Sequence, residues 1–265
     1  MSILITGGNG YIARSLERGL DRGDITTISR EDFDLTSKRE TELWFKDKNF
    51  DTVIHTAVKG GSRLTPETDE ITYQNLSMFY NILDCKNSYK RLIHFGSGAE
   101  QYSPSSPYGI SKRVIDDILK LYKQYANLRI YGVFDENELG TRFIKANILN
   151  YINKNPIEIH KDKYMDFFHM DDLVTVVKLF LDGQLISEDK AVDCTYNIKY
   201  KLSDISALIN NLGTYKVDIN INDSDGLDSP YISNYNFKFN CKLKGIEKGI
   251  YETYLALKNS ERIIK

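Results

Sequence analysis

The opening Ile3-Leu4-Ile5-Thr6-Gly7-Gly8-Asn9-Gly10-Tyr11-Ile12-Ala13 limits the possible folds more than any other stretch of this chain. A short apolar run reads as a buried strand. It breaks at Gly7-Gly8-Asn9-Gly10, and Ile12, Leu16 and Leu20 then recur at helical spacing. A glycine-rich turn from strand to helix lets the backbone approach a pyrophosphate, and the helix N-terminus offers that anion unpaired N–H groups and a positive dipole end. Ala13 stands where a third glycine is usual and is still small enough for close helix–sheet packing. An ordinary glycine-rich βα turn looks similar. The position directly after a clear strand favours the dinucleotide reading.

A second feature is Tyr108-Gly109-Ile110-Ser111-Lys112. A phenol and an ammonium four residues apart share one face of a helix. A neighbouring cation favours the phenolate and lowers the tyrosine pKa, so such a tyrosine suits proton transfer near neutral pH. The spacing also arises by chance in many helices, and its weight comes from the nucleotide-binding opening. Pro107 and the serines before it suit a helix start, and Ile110, Val114, Ile115, Ile118 and Leu119 form a buried stripe.

With 265 residues the chain can bury one good core, as one large domain or a domain with a small lobe. Lys+Arg 35 against Asp+Glu 37 gives a net charge of −2, which offers no global attraction to nucleic acid or membrane. No apolar run is long enough to span a bilayer, and residues 3–5 read as a core strand in place of a signal peptide. The three cysteines, Cys85, Cys194 and Cys241, are widely spaced and suggest a reducing, cytoplasmic setting. The four histidines show no metal-ligand spacing, so no metal site is expected.

Strands are expected near 2–6, 25–29, 52–56, 91–96 and 128–134, and helices near 10–21, 38–47, 70–86, 108–125, 141–153 and 171–182. This alternation predicts an α/β chain with a Rossmann-type doubly wound parallel sheet. Residues 1–182 would form the dinucleotide-binding domain, with 136–165 contributing to a substrate lobe. Residues 183–265 would form that small C-terminal lobe, with helices at 202–212 and 244–258 and a turn at Asp223-Ser224-Asp225-Gly226. Ligands of such sheets sit outside the carboxyl ends of the strands, so the segments after the strands should converge there.

Together these residues resemble the extended short-chain dehydrogenase/reductases that act on nucleotide sugars, the NAD-dependent epimerase/dehydratase type. The pieces are Gly7/Gly10/Ala13, Asp34-Leu35, His55-Thr56-Ala57, Asn75, Ser97, Tyr108/Lys112 and Phe167-Phe168-His169-Met170-Asp171-Asp172-Leu173. Ala57-Val58-Lys59-Gly60-Gly61 and the segment 165–172 look most like nucleotide-sugar 4-ketoreductases of the GDP-fucose synthase type. The resemblance implies that Tyr108 is the general acid/base, that Lys112 binds the nicotinamide ribose and tunes Tyr108, and that Ser97 hydrogen-bonds the substrate carbonyl. It implies a cofactor set of Gly7, Gly10, Tyr11, Ile12, Arg30, Asp34, Leu35, Thr56, Ala57, Val58, Lys112 and Val133. Asp34 would meet the adenine amino group, and Asn75 would support the sheet edge. Lys59, Ser97, Ala99, Tyr108 and Arg142 would meet the substrate, with Lys145 and Lys154 as further diphosphate candidates. It also implies a homodimer built on the helices at 70–86 and 108–125, where Met78, Phe79, Ile82 and Leu83 make an apolar stripe that could equally be core. His169 reads as structural, and Asp171 and Asp172 as a helix N-terminal charge pair.

NAD-binding sheets usually place an acid at the end of the second strand. Here Ile28-Ser29-Arg30 suits a 2′-phosphate, so NADP is favoured and NAD remains possible, with Glu31 and Asp32 as opposing charges. Dehydratases of the family carry an Asp-Glu pair directly after the catalytic hydroxyl residue. Gly98 and Ala99 stand there, with Glu100 one step further. The epimerising cysteine and histidine of GDP-fucose synthase correspond to Ala99 and, approximately, Arg142. The segment between Ser97 and Tyr108 is shorter than is common in the family. The expected activity is NADP-dependent reduction of a 4-keto (deoxy)sugar nucleotide. The alternatives are a nucleotide-sugar 4-epimerase with tightly bound NAD, and a non-catalytic dinucleotide sensor.

Overall fold

Short runs of Ile, Leu and Val separated by amphipathic segments become buried parallel strands joined by helices. The computed structural model describes residues 1–21, 24–61, 65–184, 191–222, 229–235 and 237–264, with 261–264 as backbone alone. In chain order the first elements are β1 (Ile3–Thr6), α1 (Tyr11–Gly19), β2 (Ile25–Ile28), α2 (Lys38–Phe45), β3 (Phe50–His55), α3 (Asp69–Asp84), β4 (Tyr89–Ser97), α4 (Ala99–Tyr102), α5 (Pro107–Leu119) and β5 (Tyr125–Ile130). There follow β6 (Val133–Phe134), α6 (Phe143–Ile152), β7 (Ile157–Ile159), β8 (Phe168–His169), α7 (Met170–Leu181), β9 (Ala191–Asp193), α8 (Leu202–Asn210), β10 (Ile219–Ile221) and α9 (Ile246–Ile264). The turn cluster Asp223–Gly226 lies outside the described residues.

The main sheet has six parallel strands in the order β2-β1-β3-β4-β5-β9. The chain moves outward from β1 to β2, then returns past β1 to build β3, β4 and β5 on the other side. That reversal makes the carboxyl ends of β1 and β3 the switch point, where ligands of open α/β sheets bind. Leu4, Val53 and Leu92 of the sheet share one core with Phe45 of α2, Met78, Phe79 and Ile82 of α3, and Ile115 and Leu119 of α5. The stripe Met78, Phe79, Ile82 and Leu83 is therefore core, and the exposed large side chains of α3 are Tyr73 and Tyr80.

Several boundaries differ from the sequence expectation, and two of them have a clear physical cause. The helix expected over 108–125 ends at Leu119, and β5 starts at Tyr125. Tyr125 is buried, pairs in register with Leu92 and stacks on Tyr122 at 4.8 Å between ring centroids, so aromatic burial overrides helix continuation. The chain divides into two compact units, residues 1–130 with 176–193, and 131–175 with 194–265. The sequence pattern places 183 onward in the lobe. Instead β9 joins the sheet beside β5, with Val192 fully buried.

An ion cluster accompanies that strand pair. Arg129 on β5 is buried and reaches Glu100 through Nε at 2.6 Å, Asp193 through Nη1 at 2.8 Å and Asp116 through Nη2 at 3.4 Å. Asn127 adds a 2.7 Å hydrogen bond to Asp116. Burial and the neighbouring Asp116 push the Glu100 carboxyl up, while Arg129 opposes this.

The second unit has its own core, formed by Phe134, Ile144, Ile148, Tyr151, Ile205, Ile209, Ile250 and Tyr254 among others. Asp172, in the first turn of α7, accepts from the backbone N–H groups of Lys244 at 2.7 Å and Gly245 at 3.1 Å and from the Tyr196 hydroxyl. It thus ties the approach to α9 rather than only facing the α7 dipole. His169 is buried against Phe134, and a side chain at Gly249 would fall 2.8 Å from its ring. Among the described residues no helix is long and apolar enough to cross a membrane.

Truncating the cation of a buried ion cluster leaves carboxylates uncompensated. Arg129→Met is expected to lower unfolding stability by about 3–5 kcal/mol. A urea melt reads this, and a change below about 1 kcal/mol would rule out the cluster as a holding interaction.

Candidate active site

At the switch point the backbones of two loops approach closely. Gly7 has φ +74°, and a Cβ there would lie 2.7 Å from Ala57 N and 2.8 Å from Ala57 Cα. A Cβ on Gly8 would lie 2.5 Å from Thr27 Cγ2. Gly10 is the N-cap of α1, supplies no side-chain cap, and is exposed. Gly10 thus places no capping side chain over the start of α1, and a helix N-terminus favours an anion. These strands and loops enclose a cleft of about 330 Å³ lined by Gly7, Asn9, Gly10, Ser29, Arg30, Phe33, Asp34, Leu35, Thr56, Ala57, Val58 and Met78. Eight of the expected cofactor residues, Gly7, Gly10, Arg30, Asp34, Leu35, Thr56, Ala57 and Val58, meet there. Tyr11 and Ile12 open α1 half-buried, outside the lining set. Phe33 and Met78 escaped the sequence reading because apolar side chains at a cleft wall look like core side chains. Asn9 sat in plain view between the glycines.

The acids that follow Arg30 are folded back. Asp32 Oδ2 accepts from Ser29 N at 2.8 Å, and Glu31 Oε1 accepts from Asn9 Nδ2 at 3.4 Å. Arg30 is exposed at the cleft and makes no ion pair among the described residues. Asp34 is exposed and accepts from Thr36 N at 2.9 Å, which shapes its turn. A glycine cradle, a helix start with no capping side chain and an exposed guanidinium suit the phosphate groups of a dinucleotide. Among the described residues no group of three or more His, Cys, Asp or Glu could hold a metal ion.

The loop after β3 is braced by Asn75. Its Oδ1 accepts from Lys59 N at 2.8 Å, and its Nδ2 donates to Lys59 O at 3.0 Å and to Ser111 Oγ at 3.1 Å. The Lys59 side chain is exposed. Further along this loop, Gly61 has φ +73°, and a Cβ there would lie 3.0 Å from Tyr108 Cζ. The phenol ring thus packs on the loop whose earlier residues line the cleft.

Tyr108 is held at the start of α5. Ser106 caps the helix by accepting from Gly109 N at 3.1 Å, Pro107 follows, and Glu67 accepts from Tyr108 N at 3.0 Å. A Cβ on Gly109 would fall 1.9 Å from Ser103 O and 2.9 Å from Ala99 O, so only glycine lets α5 lie against the chain that follows Ser97. Ser97 ends β4, is buried, and its Oγ accepts from Ala99 N at 3.1 Å. Ala99 is buried at the start of α4. Glu100 also accepts from Ser97 N at 2.9 Å, so its carboxylate is directed inward between the β4 terminus and Arg129.

Lys112 is 4% exposed. Its Nζ donates to Phe95 O at 2.6 Å, lies 3.4 Å from His94 Nε2 and stands 5.6 Å from the Tyr108 ring centroid. Burial pulls its pKa down to about 8, against the attraction of Glu100. His55 and His94 occupy paired positions on β3 and β4 with ring centroids 5.5 Å apart. Burial keeps both far below the usual imidazole range, so both are neutral.

Val133 and Arg142 belong to the second unit, Val133 in β6 and Arg142 as the exposed N-cap of α6. Lys145, expected as a diphosphate contact, instead donates through Nζ to Glu136 O and Glu138 O, both at 2.7 Å. It closes the loop before α6, a role that spacing alone does not disclose. Lys154 lies over the Tyr215 ring at 5.7 Å.

The sequence pattern of the NAD dependent epimerase/dehydratase family matches residues 3–198, and the chain belongs to that family. No curated protein matches it by sequence. Among solved structures, a GDP-D-glycero-L-gluco-heptose synthase from Campylobacter jejuni, in the presence of NADPH, is similar with a TM-score of 0.80 at 16% identity, over 97% of this chain and 98% of that one. A GDP-mannoheptose C4 reductase from Campylobacter jejuni with NADP bound gives 0.76 at 17% identity, over 97% and 98%. A UDP-glucuronic acid 4-epimerase from Bacillus cereus in complex with NAD gives 0.72 at 16% identity, over 98% and 100%. The fold is thus shared with enzymes of both cofactor types. The chain is an NAD(P)-dependent oxidoreductase-type enzyme of that family.

Gly7→Ala combines a left-handed φ with a backbone collision. It is expected to weaken binding of the reduced nicotinamide dinucleotide, NADPH or NADH, at least about tenfold, about 1.4 kcal/mol. A fluorescence titration checks this, and unchanged affinity would remove the cradle from the site.

Proposed function

We propose that the chain reduces a 4-keto (deoxy)sugar nucleotide with NADPH. The observation that carries this reading is the Tyr108–Lys112 pair, packed on the loop that lines the glycine-cradled cleft. The Tyr108 hydroxyl gives its proton to the carbonyl oxygen of the substrate. Ser97 Oγ hydrogen-bonds that oxygen, and the Lys112 charge stabilises the phenolate left behind. When bound, the reduced nicotinamide supplies the hydride that completes the reduction. Gly7, Gly10, Thr56, Ala57 and Val58 would hold the dinucleotide, with Asp34 and Leu35 at the adenine end and Arg30 at the 2′-phosphate.

Elimination of water is disfavoured by the fate of Glu100. The acid nearest the expected position is tied to Arg129 and to Ser97 N inside the protein. NADP is favoured over NAD because Arg30 faces the cleft while Asp32 and Glu31 hydrogen-bond protein groups. The second reading is a 4-epimerase with tightly bound NAD, supported by the fold shared with an NAD-bound UDP-glucuronic acid 4-epimerase. Recovery of NAD from the purified protein, and epimerisation without added cofactor, would select it. A homodimer through α3 and α5 would use Tyr73 and Tyr80, the exposed aromatic residues of α3.

Tyr108→Phe is expected to cut turnover of 4-keto sugar nucleotides by a factor of about 10² to 10⁴ while leaving NADPH affinity nearly intact. Absorbance assays over a panel of such substrates read the first effect, and a turnover equal to wild type would sink the assignment. Arg30→Ala is expected to weaken NADPH by about tenfold or more and leave NADH nearly unaffected. Equal losses for the two coenzymes would refute the 2′-phosphate role.

A further inference from the structure

Resting on the proposed function, we propose that His94 is a positioning residue that holds Lys112 charged and turned beneath Tyr108. The ammonium is buried on the strand side of α5, and the groups around it are few. From β4 come Phe95 O and His94 Nε2, from β3 His55, from α4 Glu100, and from its own helix Tyr108. Helix α3, packed on α5, contributes the neutral Asn75 through Ser111. Glu100 is already paired with Arg129, so its attraction is shared, and among the described residues no carboxylate forms an ion pair with Lys112. The ammonium therefore depends on two neutral acceptors, one a fixed carbonyl and the other an imidazole.

The tautomer follows from this contact. An ammonium only donates, so His94 Nε2 must accept and the ring proton must sit on Nδ1. His94 Nδ1 is buried and has no hydrogen-bond partner. An unpaired N–H is costly in the interior, and a histidine serving only as packing would be better replaced by an apolar ring. The neighbouring His55 does satisfy its Nδ1, at 2.8 Å from Thr6 Oγ1. At His94 the proton on Nδ1 goes unpartnered, and the lone pair of Nε2 is thereby left to accept from Lys112. Two of the three ammonium N–H groups are thus directed to β4, which fixes where the third can point.

The test uses lysine labelled with ¹³C at Cε, with the Lys112 signal identified by its loss in Lys112→Arg. Wild type should titrate near the value of about 8 that burial sets. His94→Leu removes one acceptor from a buried cation, and the midpoint should fall by about one pH unit. His94→Gln, whose amide oxygen accepts, should restore it. NADPH affinity, read from its own fluorescence, should then be about fivefold weaker than wild type for His94→Leu at pH 8 and nearly equal at pH 6. A Leu variant with an unmoved midpoint, or a wild-type midpoint in the ordinary lysine range, would overturn the inference, the latter independently of whether any variant folds. A wild type that binds neither NADPH nor NADH at any pH would overturn the functional reading beneath it, and the lysine midpoints would then report only the contact.

Discussion

Two strand ends meet at β1 and β3, and the loops that leave them approach until Gly7 has room for no side chain beside Ala57. This close approach follows from the winding. Because the chain builds outward from β1 and then returns to lay β3 on the other side, the connections diverge and leave the carboxyl ends of both strands open. The cleft, the start of α1 without a capping side chain, the Arg30 loop and the loop that backs Tyr108 are all consequences of that arrangement.

The interior contains two buried cations with opposite solutions. Arg129 is ringed by Glu100, Asp116 and Asp193, and its guanidinium stays charged under all conditions. Its cluster joins β5 to β9, α4 and α5, and so fixes the ground beneath Ser97. Lys112 has neutral partners, and burial brings it within reach of titration near neutrality. A cation held this loosely by charge can respond to what happens at Tyr108. One that is ringed by carboxylates cannot. The use of Glu100 in the first cluster also takes it out of the chemistry available beside Ser97.

Much of this was legible along the chain. The strand and helix positions of the dinucleotide half, the glycine turn, the Tyr108–Lys112 helix and most of the cleft lining follow from local periodicity and turn chemistry, which act over a few residues. The misreadings concern partners that spacing alone does not disclose. Lys145 reads along the chain as a diphosphate contact, yet its ammonium is taken by two carbonyls of its own loop. The stripe of α3 could face a partner or the core, and only packing buries it. The helix after Tyr108 stops early because Tyr125 is buried in the sheet.

By itself the sequence determined an α/β chain with a glycine-rich strand-to-helix turn, a phenol and an amine one helical turn apart, and the family to which these belong. Periodicity, glycine conformation and i, i+4 spacing are local, so each is written in neighbouring residues. Tertiary structure alone decided that β9 completes the sheet, that Glu100 faces Arg129, and that two neutral histidines lie behind Lys112. Those outcomes depend on which strands become neighbours and on how much water burial removes. Neither is encoded in any single stretch of chain.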